Sequence, residues 1–175
     1  MLELLKTRRS IRKFQDRKVE EEKIDTLLKA ALLSPSSRSR RPWEFIAVTD
    51  KELILKLADS KEYGSQFLKG APLAIVVVAD KEVCDVWIED TSIAAIIAQI
   101  TAHSMGLGSC WIQIRERMHN SEKKAEDYIK SLLDIPQKYG VECILAVGYP
   151  GEHKEAYEEK DLPYNKIHFD RYGMK

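Results

Sequence analysis

The stretch LAIVVVA, residues 73–79, is apolar at every position. A strand with one face in water alternates apolar and polar residues, so this run predicts a central strand covered on both faces. IAAIIAQITAHSM, within residues 86–105, makes a similar demand. It is apolar over most of a helical circumference and predicts a central helix buried on several sides, a subunit contact among them. A chain carrying both segments has to surround a sheet with helices.

The remaining elements follow from periodicity. Residues 2–9 predict a short helix. Ile24, Leu27, Leu28, Ala31 and Leu32 mark one face of a helix over 20–33, and Pro35 ends it by disfavouring helical geometry at Ser34. WEFIAVT predicts a strand, and Asp50 caps a short helix carrying Leu53, Ile54 and Leu57. Gly106 suits the left-handed position after the central helix, with Leu107 folding back on it. GSCWIQI predicts a strand, residues 121–133 an amphipathic helix, and VECILAVGY a final strand closed by Gly148, Pro150 and Gly151. The tail from 152 lacks strong periodicity. It is aromatic at Tyr157, Tyr164, Phe169 and Tyr172, and is expected to pack against something, another subunit included. No repeat, low-complexity stretch or linker interrupts the chain, so residues 1–175 read as a single domain, an α/β or α+β sandwich.

Lys+Arg and Asp+Glu both count 28, so the net charge is 0. A nucleic-acid coat or a polybasic membrane binder would show a basic excess. No apolar run approaches the roughly 20 residues of a membrane span. MLELLKTRR lacks the apolar core and cleavage site of a signal peptide. Cys84, Cys110 and Cys143 are widely spaced and odd in number. That argues against disulfides and zinc, predicts buried small hydrophobes, and fits a reducing cytoplasm. His103, His119, His153 and His168 have no metal spacing, and no metal site is expected.

Against this neutral background, TRRSIRKFQD at 7–16 concentrates Arg8, Arg9, Arg12 and Lys13 around Ser10. Guanidinium forks meet phosphate oxygens bidentately, so the cluster is either an anion clamp or a solvated basic face partly neutralised by Glu20, Glu21 and Glu22. SPSSRSRRPWEF at 34–45 places Ser36, Ser37 and Ser39 among Arg38, Arg40 and Arg41 between a helix and a strand. It is either a ligand-binding loop or an ordinary polar connection.

Taken together these stretches resemble the FMN-dependent nitroreductase family. Its opening R-R-S-x-R-x-F motif is matched by Arg8, Arg9, Ser10, Arg12 and Phe14. Its P-S-x-x-N-x-Q-P-W-x-F element is matched by Pro35, Ser36, Ser37, Ser39, Arg41, Pro42, Trp43 and Phe45. A G-L-G-s-c-w-i element falls on Gly106–Ile112, and a strand ending in G-Y-P on Gly148, Tyr149 and Pro150. The resemblance implies an α+β fold of nitroreductase type: a three-layer sandwich with a mainly antiparallel sheet covered by helices, forming a homodimer with FMN at the interface. By position, Arg8, Arg9, Ser10 and Arg12 would hold the phosphate, ribityl chain and pyrimidine edge. Pro35, Ser36, Ser37 and Ser39 would come from the other subunit. Trp111, Ile112 and Gln113 would lie along the isoalloxazine near N5, and Lys160 would reach the phosphate from the tail.

The activity implied is reduction of an aromatic nitro compound, quinone or similar acceptor by NAD(P)H in a ping-pong cycle, with the chemistry carried by flavin N5 and no catalytic side chain. Three positions depart from the family pattern: Ser39 replaces Asn, Arg41 replaces Gln, and Lys160 replaces Arg. The first two alter the flavin rim and the substrate entrance, where Arg41 would favour an anionic substrate. Alternatives that keep the flavin are a dehalogenase and a storage or sensor protein. A phosphate- or nucleic-acid-binding module without catalysis is the alternative that abandons it.

Overall fold

The computed structural model describes residues 1–174. Four strands, β1 (Trp43–Val48), β2 (Leu73–Asp80), β3 (Gly108–Gln113) and β4 (Tyr139–Gly148), form one sheet in the order β1-β2-β4-β3. Every neighbouring pair is antiparallel. The five α-helices are α1 (Leu2–Thr7), α2 (Glu21–Leu32), α3 (Lys51–Ala58), α4 (Trp87–Ser104) and α5 (Ala125–Leu132).

The apolar run of β2 lies inside the sheet, and the period-two alternation of a strand feeds both of its faces. Leu73, Ile75 and Val77 pack with Leu27 and Ala31 of α2 and Ala95, Ala98 and Ala102 of α4. Ala74, Val76 and Val78 pack with Ile54 and Leu57 of α3 and Ile129 of α5. The result is the three-layer α+β sandwich: α2 and α4, then the sheet, then α3 and α5. The pairing of β2 with β4 slips between Val77 and Val78, where Cys143 and then Val141 are the partners. Glu142 is left as the extra residue of a β-bulge, so Val141 joins the opposite core from Cys143.

The helix stop at Gly106 takes the expected form. Its φ is +76°, its N–H donates to His103 O, and the Leu107 N–H donates to Ala102 O at 2.9 Å. These are the two bonds of a Schellman closure, and the fully buried Leu107 is its apolar partner. The helix expected over 121–133 begins only at Ala125. Asn120 Oδ1 accepts the Glu122 and Lys123 N–H groups and turns that stretch into a capped loop. The helix expected over 2–9 stops at Thr7, because Arg8 is extended. All three cysteines are free and buried. Among the described residues no helix is long and apolar enough to cross a membrane, and no group of three His, Cys, Asp or Glu is placed to hold a metal ion.

The tail divides in two. Its first part lies along α1, where the Tyr157 N–H donates to Lys6 O and Lys6 pairs with Glu159 at 3.9 Å. Beyond it Phe169 and Tyr172 are 65% and 93% exposed, with the Tyr172 ring 4.5 Å from the His168 ring, centroid to centroid. Ile93 and Ile96 of α4 are exposed as well.

Candidate functional site

After Arg8 the chain runs extended beside β3. Ser10 bridges Ser109 in parallel, and the Ile11 N–H donates to Ser109 O at 3.0 Å. The approach requires Gly108, because a methyl group there would lie 2.8 Å from Ile11 Cβ. Extended backbone turns successive side chains to opposite sides. Ser10 and Arg12 lie beside Cys110, whose thiol is pushed up by burial and pulled down chiefly by the Arg12 charge. Arg9 and Ile11 instead face a cavity of about 440 Å³ walled by the tail. The Arg9 guanidinium donates to Glu155 O and stacks 4.3 Å from the Tyr157 ring centroid. What the sequence presents as one cluster is therefore two groups.

Arg8 and Arg12 have no carboxylate within salt-bridge distance among the described residues; Arg12 rests over Phe67, 5.7 Å from its ring centroid. Glu20 does not neutralise them. It binds Arg17 at 2.8 Å, Lys23 at 3.9 Å and the Tyr149 hydroxyl, and its pKa falls to about 2, chiefly through Tyr149. The acid that serves the segment is Glu152, which sequence reasoning missed. Its Oε1 accepts the Arg12 N–H at 2.6 Å and the Lys13 N–H at 3.1 Å, and these bonds with Lys154 lower its pKa to about 2. Glu152 thus fixes the backbone and leaves both guanidinium groups free. Its only sequence signal is its place two residues beyond Gly-Tyr-Pro. His103 Nε2 lies 2.7 Å from Thr7 Oγ1, and burial, then Arg8, lowers its pKa.

The second stretch is a strained loop. Arg38, Ser39 and Arg41 have φ of 51°, 54° and 49°, a left-handed geometry that costs non-glycine residues about 1–2 kcal/mol each. Hydrogen bonds hold it, three of them through Ser36 and the Ser37 N–H. Ser36 Oγ accepts the Arg41 N–H at 3.0 Å, Ser36 O accepts the Ser39 N–H, and buried Asp90 of α4 accepts the Ser37 N–H at 2.9 Å. Asp90 is a second residue the sequence did not single out. Pro35, Ser39 and Arg41 are exposed, while Ser36 and Ser37 are half-buried.

The two stretches do not meet within one chain. Ser10 sits where β3 meets Val147 of β4, whereas the loop enters β1 at Trp43, level with Ala79 and Gly140. Gly140 and Val147 are about 23 Å apart along the strand at roughly 3.3 Å per residue, and β1 and β3 are the two edges of the sheet. Trp111 and Gln113 are half-buried side by side on β3, with Trp111 Nε1 donating to Gln113 Oε1 at 2.9 Å. Ile112 is buried in the core, so it offers a ligand only its backbone. Lys160 stands on the exposed tail, paired with Glu158 at 2.5 Å.

An antiparallel sheet between helical layers, with two arginines that have no ion-pair partner among the described residues at one corner and a strained serine loop at the opposite one, defines a three-layer α+β protein. Its relatives are specific. The profile of the nitroreductase family matches residues 5–61 and 56–149. A protein of Archaeoglobus fulgidus described as a candidate NADH dehydrogenase/NAD(P)H nitroreductase is 36% identical over 98% of each chain. One of the same description from Methanothermobacter thermautotrophicus is 37% identical over 98% of this chain and 87% of its own. The solved structure of an FMN-dependent nitroreductase from Clostridium difficile R20291 superposes with a TM-score of 0.97 at 55% identity, covering 98% of this chain and 100% of that one. The chain belongs to the nitroreductase family of oxidoreductases.

Proposed function

We propose that residues 1–175 form one FMN-binding domain that acts as a homodimer, taking electrons from NAD(P)H and passing them to an aromatic nitro compound, quinone or similar small acceptor. The observation that carries this reading is the pair of guanidinium groups, Arg8 and Arg12, unpaired beside half-buried Ser10. Two fixed cations next to a hydroxyl fit a phosphate and a polar ring edge. Bound FMN supplies hydride acceptance at N5 and onward reduction of the acceptor, in a ping-pong sequence.

The chain's own residues would divide the work. Arg8, Ser10 and Arg12 bind the anionic and polar parts of the flavin. Their positive charge stabilises electron density that arrives on reduction. Arg9 holds the tail through Glu155 and Tyr157, and thereby shapes the wall of the site. Trp111, Gln113 and the Ile112 backbone present the β3 edge to the ring. Pro35, Ser36, Ser37 and Ser39 act from a second copy, because one chain holds them too far from Ser10. The exposed rings of Phe169 and Tyr172 and the exposed Ile93 and Ile96 supply apolar surface for that second copy. Lys160 joins the phosphate by exchanging Glu158 for it. Arg41, exposed and strained, attracts an anionic acceptor at the rim.

The test is the visible spectrum of the purified protein, before and after NADH or NADPH is added without oxygen. Flavin bands that bleach are expected. A protein that contains no flavin and takes none up defeats the reading, and bands that persist with both donors leave a flavin protein that is not an NAD(P)H reductase.

A further inference from the structure

A second cavity, of about 380 Å³, lies beyond the far end of β3. Trp87 and Ile88 of α4 give it an apolar wall, and Lys81, Arg115, Arg117 and Lys124, with Glu116 and Glu126, give it a charged one. Its volume is within the range of small-molecule sites, about 300–1,000 Å³. The β-bulge builds it. The Glu142 carbonyl accepts both the Ile114 and the Arg115 N–H, which bends the chain out of β3, and Glu116 follows at φ 56°. The buried Glu142 carboxylate, its pKa raised by desolvation, lies 3.1 Å from Arg115 Nε, and Glu116 takes Arg115 Nη1 at 2.7 Å. Arg115 is thereby fixed and neutralised, and Glu126 is drawn to Lys130 at 3.7 Å.

Lys81, Arg117 and Lys124 have no carboxylate within 4.0 Å among the described residues. Arg117 is held in place from its own backbone. Its carbonyl accepts the Ala125 N–H at 2.9 Å, and its guanidinium donates to Glu116 O at 3.0 Å. The Arg117 charge lies close enough to Lys61 to add to burial in lowering that lysine's pKa. Three cations without an ion-pair partner among the described residues around one concave site, beside an indole, are the groups that a phosphate carried on an aromatic base requires. The cavity adjoins the proposed flavin edge, since Gln113 Nε2 donates to Arg115 O at 3.1 Å.

We infer that this cavity binds the 2′-phosphoadenosine end of NADPH and makes the chain selective for NADPH over NADH. The inference rests on the reductase reading for the identity of its ligand. An electron donor reaching across Gln113 would place its nicotinamide at the flavin and its adenosine against Trp87. Arg117, Lys81 and Lys124 would hold the 2′-phosphate, which NADH lacks.

The experiment is calorimetric titration of the flavin-loaded protein with 2′,5′-ADP and with 5′-AMP, at low salt. Wild type is expected to bind 2′,5′-ADP at least tenfold more tightly. The advantage should disappear in R117A/K124A, and be reduced in K81A/K124A, which keeps the Arg117 side chain. In parallel, kcat/KM for NADPH should fall at least tenfold in R117A/K124A while kcat/KM for NADH stays as in wild type. Equal binding of the two nucleotides by wild type, or an advantage that survives both double variants, overturns the inference. Failure of the reductase reading is visible separately, as a flavin that neither donor bleaches.

Discussion

Replacing Gly108 with alanine tests whether the contact between the N-terminal segment and β3 is what places the arginines. The φ of Gly108 is not left-handed, so its backbone tolerates alanine. The added methyl would lie 2.8 Å from Ile11 Cβ and 2.9 Å from its two γ-carbons. Carbon atoms pack at about 3.5–4.0 Å. Because the nearest atom is Cβ, no rotation of the Ile11 side chain relieves the contact, and residues 10–12 have to move as backbone. That backbone is held by the Ile11 N–H to Ser109 O at 3.0 Å and the Arg12 N–H to Glu152 at 2.6 Å. Overpacking of this kind costs about 1–3 kcal/mol, and one weakened hydrogen bond adds about 1 kcal/mol. The total is about 2–4 kcal/mol, and at roughly 2–4 °C per kcal/mol for a chain of this size G108A should melt about 4–16 °C below wild type. Gly106→Ala is the comparison: φ is +76° with no atom within 4 Å, so its cost is conformational and leaves Ile11 in place. Thermal unfolding and the flavin retained after gel filtration are the assays. G108A should lose flavin well beyond G106A. The reasoning is refuted by a G108A protein that melts with wild type, or that loses stability yet keeps its flavin.

Three further outcomes are expected. R8A/R12A should retain FMN at least tenfold less well, while the apo protein melts within about 0.5 kcal/mol of wild type because neither side chain has an ion-pair partner to lose; full occupancy would move the clamp elsewhere. Glu152 has its pKa lowered from 4.5 to about 2, first by the Arg12 N–H and then by Lys154, so it stabilises the fold above pH 4.5 and loses that effect as pH falls toward 2. Urea midpoints should show the gap between wild type and E152Q closing across that window, and a gap independent of pH would contradict the assignment. Asp90→Ala removes the buried acceptor of Ser37 N–H, worth about 1.5–3 kcal/mol for a bond to a charged group, so trypsin should cut at Arg38–Arg41 faster than in wild type, with Asp90→Asn in between. Unchanged cleavage would show that Asp90 does not hold the loop.

Much of the architecture was legible because burial leaves a periodic trace. The unbroken apolar run of β2, the 3.6-residue face of α2 and the glycine stop at Gly106 each report a local requirement that local residues meet. The candidate site was legible in its parts. Arg8, Ser10 and Arg12 do form a group, and Ser36 and Ser37 do lie in an ordered loop. The sequence misled where sidedness mattered. Four basic residues in six positions read as one patch, but extended backbone turns Arg9 to the tail and leaves Ser10 and Arg12 beside Cys110. It also misled over neutralisation: Glu20 is adjacent in the chain but binds Arg17 and Tyr149.

By itself the sequence determined that a sheet would be covered on both faces and where α2 and α4 stop, and it grouped Arg8, Ser10 and Arg12 together. Only the tertiary structure decided that Glu152, 140 positions along the chain from Arg12, would hold the backbone of that segment. It alone decided that a bulge at Glu142 would neutralise Arg115 and leave Arg117 free, and that the two serine–arginine stretches would lie at opposite corners of one sheet. Periodicity records which side of an element meets the core, and that property is local. Which element lies beside it, and in what register, is a long-range choice made by the packing of the whole sheet, and no short stretch of sequence contains it.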